Sequence, residues 1–277
     1  MKKLPVKYLV MFTVVIGLMI FTSVSSVRSA LIYSDNYISD FEMYDIGITL
    51  QEKGDGEQDY KNVGWRNYKP VKDEKGNTLS GDWVVNKDIP LFASINDFVV
   101  GKQYSEQFRV LNSGTIDEYV RVKIYKYWLD GNNKKDTSLS PALIELRLVE
   151  GDNNWIIDDN NDPNRTTSER TVMYYAYPLK SSNNNNGQAE TTPDFMTTLK
   201  INNSVMDAYD ISTTEHVENG VTYKNTVYKF KYDGYTFCVE IEADAVQTHN
   251  AKDAIKSAWG RNVKIDKENG GKLSLVG

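Results

Sequence analysis

Cysteine occurs once in these 277 residues, at Cys238, and histidine only twice, at His216 and His249. A lone cysteine excludes an intramolecular disulfide and every paired-cysteine redox or zinc motif. The two histidines are too far apart in sequence to form the helical His pair of zinc peptidases, which stand four residues apart. No nucleophile elbow and no phosphate-cradling glycine loop occurs either. Seven prolines and eighteen glycines are too few for a collagen-like or low-complexity chain. Positive charge is scarce as well. The net charge is −6, and it falls to −10 once residues 1–29, with Lys2, Lys3, Lys7, Arg28 and no acid, are set aside. Such a body lacks the clustered cations that grip phosphates, so nucleic acid is not an expected partner.

The apolar run at residues 9–21 is too short to cross a bilayer comfortably, which takes about 20 residues. It follows three lysines and precedes the small-residue stretch "TSVSSVRSA". That order reads as a secretory signal peptide over residues 1–29, cut after Ser25, Ser29 or Ala30, with an uncleaved membrane anchor as the competing reading. The expected location is therefore outside the cell, in a matrix or at the surface, tethered to the membrane until a signal peptidase acts.

What the chain does hold is strand-forming. Eighteen tyrosines and 12% aromatics favour sheets. In "NSGTIDEYVRVKIYKYW", residues 112–128, Val120, Val122, Ile124 and Trp128 alternate with Arg121, Lys123 and Tyr125, which predicts a strand with one buried face. Gln103 to Leu111 predicts another, with Phe108 and Val110 inward. "DIGITL" predicts a third, with Ile46, Ile48 and Leu50 on one side. Residues 143–149 and 171–179 predict two more, and "TTLKI" a further one.

Residues 53–88 read as a long loop or weak hairpin pinned by Trp65 and Trp83. Asp233–Gly234 reads as the turn of a hairpin joining "VTYKNTVYKFKY" to "YTFCVEIEADAV", with Phe237, Val239, Ile241, Ala243 and Ala245 inward. Cys238 then falls on the outer face or beneath a covering helix. That helix is "HNAKDAIKSAWG", with Asn250 as N-cap, Asp253 in its first turn and Gly260 as terminator. The fold class expected is all-β: a jelly-roll-like antiparallel β-sandwich over residues 45–266 with one short C-terminal amphipathic helix, a signal-peptide helix before it and a tail at 267–277.

Several residues invite a functional reading. Asp158, Asn160, Asp162 and Glu169 have the spacing of a calcium loop, although Pro163 stands where that loop needs glycine, and a plain acidic loop between strands fits as well. His249 with Asp244 and Asp253 is a candidate metal site, or simply the start of the helix. "MYYAY" reads as packing between sheets or as a sugar-stacking face. In residues 30–44, Tyr33, Tyr37, Phe41 and Met43 share one side, so this segment is either an edge strand of its own sandwich or a strand given to a neighbour's sheet.

The blocks "VVGKQYSEQFRVLNSGTIDEYVRVKIYKYW" and "ADAVQTHNAKDAIKSAWG", behind a signal peptide and a short leading segment, resemble the TasA/camelysin family of exported Gram-positive matrix proteins. The matching turns are Gly101–Lys102 and Asn112, Ser113, Gly114 and Thr115. The resemblance implies a jelly roll that assembles into fibres, residues 30–44 of one subunit completing the sheet of the next, with Tyr33, Tyr37, Phe41 and Met43 inserted. The implied partners are the chain itself or a paralogous fibre subunit, and a dedicated signal peptidase. It also implies a competing function, a camelysin-like metal-dependent endopeptidase, while the tyrosines and the long loop at 53–88 leave open a surface module adhering to glycan or host. No cofactor is expected beyond calcium at the acidic loop.

Overall fold

A computed structural model describes residues 45–69, 71–72, 78–79, 81–151, 153–158 and 166–276. The leader and the leading segment with Tyr33, Tyr37, Phe41 and Met43 lie outside the described residues, as do Asn160 and Asp162.

In chain order the strands are β1 (Gly47–Lys53), β2 (Lys61–Asn67), β3 (Val71–Lys72), β4 (Thr78–Leu79), β5 (Trp83–Val85), β6 (Gln103–Asn112), β7 (Glu118–Leu129), β8 (Lys135–Asp136) and β9 (Ile144–Leu148). Then follow β10 (Trp155–Ile157), β11 (Arg170–Tyr175), β12 (Met196–Ile201), β13 (Tyr209–Glu218), β14 (Val221–Phe230) and β15 (Thr236–Gln247). Helix α1 (Ala251–Trp259) and the strands β16 (Val263–Asp266) and β17 (Lys272–Leu275) close the chain.

Two antiparallel sheets make the sandwich. One has the order β5-β2-β1-β6-β12-β9, the other β10-β11-β7-β15 with β8 on the end of β7. The alternation in β7 and β15 does what period-two patterns do: it sends one row of side chains inward. Val120, Val122, Ile124 and Trp128 meet Val239, Ile241, Ala243 and Ala245 in the core, against Ile48, Leu50, Phe108 and Val110 from the facing sheet. Strands β7 and β15 pair over their whole length, from Thr236 opposite Leu129 to Gln247 opposite Glu118. The chain is thus an all-β sandwich with one short helix among the described residues.

A second apolar cluster covers the outer face of the β7 sheet. Tyr119, Val172, Tyr174 and Val246 pack there beneath Ala251 and Ile255 of α1 and Val263 and Leu273 of the β16–β17 hairpin. Because both faces of this sheet are covered, its strands bury residues of both parities.

The fold departs from the sequence reading in four places. Strand β14 pairs with β13, not β15, through a turn at Asn219–Gly220 whose positive φ values of 52° and 78° are those of a tight hairpin turn. Within 53–88, β2 is a full member of the first sheet, paired with β1 and β5; Trp83 packs on the core while Trp65 stays on the surface. Residues 272–275 are not a tail, since Leu273 is fully buried in the second cluster. Asn250 begins α1 in a left-handed conformation and makes no side-chain cap bond, its carbonyl instead receiving the N–H groups of Asp253 and Ala254. Gly260 does end the helix, in the left-handed conformation, donating its N–H to the Lys256 carbonyl.

Candidate functional site

The turn Asn112–Thr115 folds over the point where the described chain begins. Ser113 N–H donates to the Gly47 carbonyl at 2.8 Å and Thr115 N–H to the Asp45 carbonyl at 2.8 Å. Asp45 N–H returns a bond to Thr115 Oγ1 at 2.7 Å, and Thr49 and Ser113 join their hydroxyls at 3.1 Å. Asn112 is fully buried and holds the turn together. Its Nδ2 donates to the carbonyls of Ile116 and Leu179 at 2.9 and 3.0 Å, and its Oδ1 receives Gly114 N–H at 2.9 Å. Gly114 has no room for a side chain: a Cβ there would lie 2.4 Å from the Asp45 carbonyl oxygen and 2.7 Å from Gly47 nitrogen. The motif is therefore a backbone clasp on residues 45–49.

Beneath the clasp lies Glu118, with no exposed surface. Its Oε2 receives Gly47 N–H at 3.3 Å, and its Oε1 has no partner. Burial pushes its carboxyl well above the usual range, the Gly47 bond pulling weakly the other way and Asp117 adding a push upward. Burial thus favours the uncharged form of Glu118.

The other motif turn serves β12. Gly101 has φ 80°, donates to the Ile201 carbonyl at 2.9 Å, and would put a Cβ 1.9 Å from Asn203 Oδ1. Lys102 lies over the Tyr104 ring at 4.4 Å.

The clasp stands beside an open sheet edge. Tyr68, tied to Ile46 by its N–H, receives Ala245 N–H on its hydroxyl at 3.3 Å, on the side of β15 away from β7. Antiparallel geometry turns the backbone groups of alternate residues the same way, so those of Phe237, Val239, Ile241 and Ala243 face that side too. Among the described residues no strand pairs with it.

Among the described residues the metal candidates are not brought together. Asp158 is buried and faces Arg261, itself buried, with Nε and Oδ2 3.1 Å apart. Glu169, at the far end of the same spacing, pairs with Lys135 at 2.5 Å. Asp244 is held by Arg121 at 2.6 Å, Arg66 at 3.2 Å and Lys123 at 3.5 Å, whereas His249 and Asp253 are exposed. Among the described residues no three His, Cys, Asp or Glu side chains are placed to share a metal ion. Tyr174 and Tyr175 of the aromatic run are buried, which fits packing rather than a sugar platform. Cys238 is half-buried on the outer face of β15, where burial raises its thiol.

A further pair of acids lies inside the first sheet's end of the core. Glu52 and Glu106 are both buried, the one receiving Phe92 N–H at 2.8 Å, the other the Ser94 hydroxyl at 3.1 Å. Burial is the main force pushing both carboxyls up, Glu52 to about 8, and each is a hydrogen-bonding neighbour of the other. Strand parity carried the signal, for Glu52 follows Ile48 and Leu50 and Glu106 precedes Phe108 and Val110. The pair anchors the β5–β6 connection, where Phe92 holds a strained φ of 63° with its ring against Phe108.

No protein-family model, curated protein or solved structure matches the chain.

Proposed function

We propose that this is an exported structural protein of the cell envelope or extracellular matrix that links its own copies into fibres. The leading segment, residues 30–44, leaves one body at the Asn112–Thr115 clasp and adds a strand to the free edge of β15 in the next. A single observation carries this reading: a twelve-residue strand, rich in inward apolar side chains, whose outer backbone edge no described strand covers. Natural sheets seldom leave so long an edge unguarded unless something pairs with it. The resemblance to the TasA/camelysin family agrees with the reading. Head-to-tail addition does not close on itself, so it propagates. Signal cleavage releases the segment from the membrane and sets the timing.

Electron microscopy and light scattering of the purified secreted chain at rising concentration test the proposal. Fibres are expected from the chain that keeps residues 30–44, and none from a chain that begins at residue 45. A free peptide of residues 30–44 should cap growth. A chain that stays monomeric at millimolar concentration overturns the reading.

A further inference from the structure

Strands β13 and β14 form an arm in which every one of the twenty residues is exposed. Eight of the thirteen large apolar side chains exposed among the described residues sit on it, so this is where the molecule concentrates uncovered apolar surface. The cross-strand register sorts them by face. Tyr209 opposes Phe230 and Ile211 opposes Tyr228 on one face, where the rings of Tyr209, Tyr228 and Phe230 touch edge to face at 5.2 and 5.7 Å. His216 stacks on Tyr223 on the opposite face. Phe230 also lines an apolar cleft of about 420 Å³ at the root of the arm, together with Met206, Trp128 and Phe237. Phe230 is the residue that arm and cleft share. A two-stranded ribbon is marginal by itself in water, and exposed apolar surface of this extent marks a contact.

We propose that the Tyr209–Phe230 face of the arm is the contact for a second copy of this chain, arm against arm about a two-fold axis. Charge argues for this occupant. The body is acidic, so two copies repel wherever their acids meet. The patch of Tyr209, Ile211, Tyr228 and Phe230 carries no charge, and the charges beside it cancel within each arm, Glu215 with Lys224 at 2.7 Å and Asp210 with Lys231 at 3.6 Å. A basic partner would gain nothing from such a patch and would be drawn to the acidic body instead. A lipid surface would be met by the polar tip, Glu218–Asn219–Gly220. Copies of this chain are what a neutral, apolar, self-paired surface on an acidic protein suits. The contact is isologous and closes at two, whereas the leading segment builds head to tail, so the two contacts are separable.

Analytical ultracentrifugation of the secreted chain between micromolar and several hundred micromolar tests this. A species of twice the monomer mass is expected in the native chain below the concentration at which fibres grow. Tyr228→Lys and Ile211→Lys should each weaken it at least tenfold, while Tyr223→Lys, on the opposite face, leaves it in place. All three side chains are exposed, and unchanged circular dichroism will confirm that each variant folds. Absence of the two-fold species, or its survival in Tyr228→Lys, overturns the proposal. A ladder of larger species untouched by Tyr228→Lys would also overturn it, because that pattern belongs to the leading segment alone.

Discussion

At Gly114 a hydrogen atom stands where any other residue would drive a carbon into the Asp45 carbonyl and the Gly47 nitrogen. Gly114→Ala should therefore pry the clasp open, costing about 1–3 kcal/mol of stability by urea denaturation and speeding proteolysis near residue 45. The acids of the core make a second residue-scale prediction. Glu52 has its folded pKa raised to about 8, against about 4.3 for an unfolded glutamate. For a raised pKa, the contribution is fully present below the unfolded value and is lost as pH climbs through the folded one. Glu106 and Glu118 act in the same direction. Stability should thus decline from about pH 5 to pH 8. Glu52→Gln, which keeps an acceptor for Phe92, should flatten that slope and gain on the order of 1–4 kcal/mol at pH 8. Thermal melts of both proteins across this range decide it, and an unchanged slope would sink the assignment.

At the scale of elements, helix α1 earns its place through Ile255, which has no exposed surface and sits between β15 and the β16–β17 hairpin. Ile255→Ala should cost about 2–4 kcal/mol and loosen the helix and hairpin together, visible as faster amide exchange in both. The helix itself was legible, because Ala251, Ala254, Ile255 and Ala258 recur at helical spacing and Gly260 stops them. Its left-handed start at Asn250 was not, since capping preference cannot say whether a side chain reaches its amide. The misassigned hairpin has a similar cause. Asp233–Gly234 and Asn219–Gly220 both carry hairpin chemistry, and it is the second that joins paired strands: β14 runs along β13 over ten residues, while β15 runs along β7 over twelve.

On the scale of the whole molecule, an open edge on β15 and a clasp at residue 45 lie side by side because Tyr68 and Ile46 bring them there. Charge reversal along that edge offers a test that leaves the clasp untouched. Glu240→Lys puts an ammonium on the exposed face of β15, where lysines guard sheet edges against an added strand. It should halt fibre growth without affecting the two-fold species formed by the arm, as ultracentrifugation and electron microscopy together would report. Fibres of normal length from a folded variant would count against β15 as the acceptor.

Period-two alternation in residues 103–128 and 236–247 by itself determined that this chain builds strands with one buried row, because a pleated backbone leaves side chains no other choice. The helix, the turn residues and the acidic balance were equally local facts. Which strands pair, that one sheet is covered on both faces, that Glu52, Glu106 and Glu118 lose their water, and that Asp158 faces an arginine were decided only by tertiary structure. Those outcomes depend on desolvation and on contacts between residues far apart in sequence, as Asp158 and Arg261 are, and no window of neighbouring residues contains them.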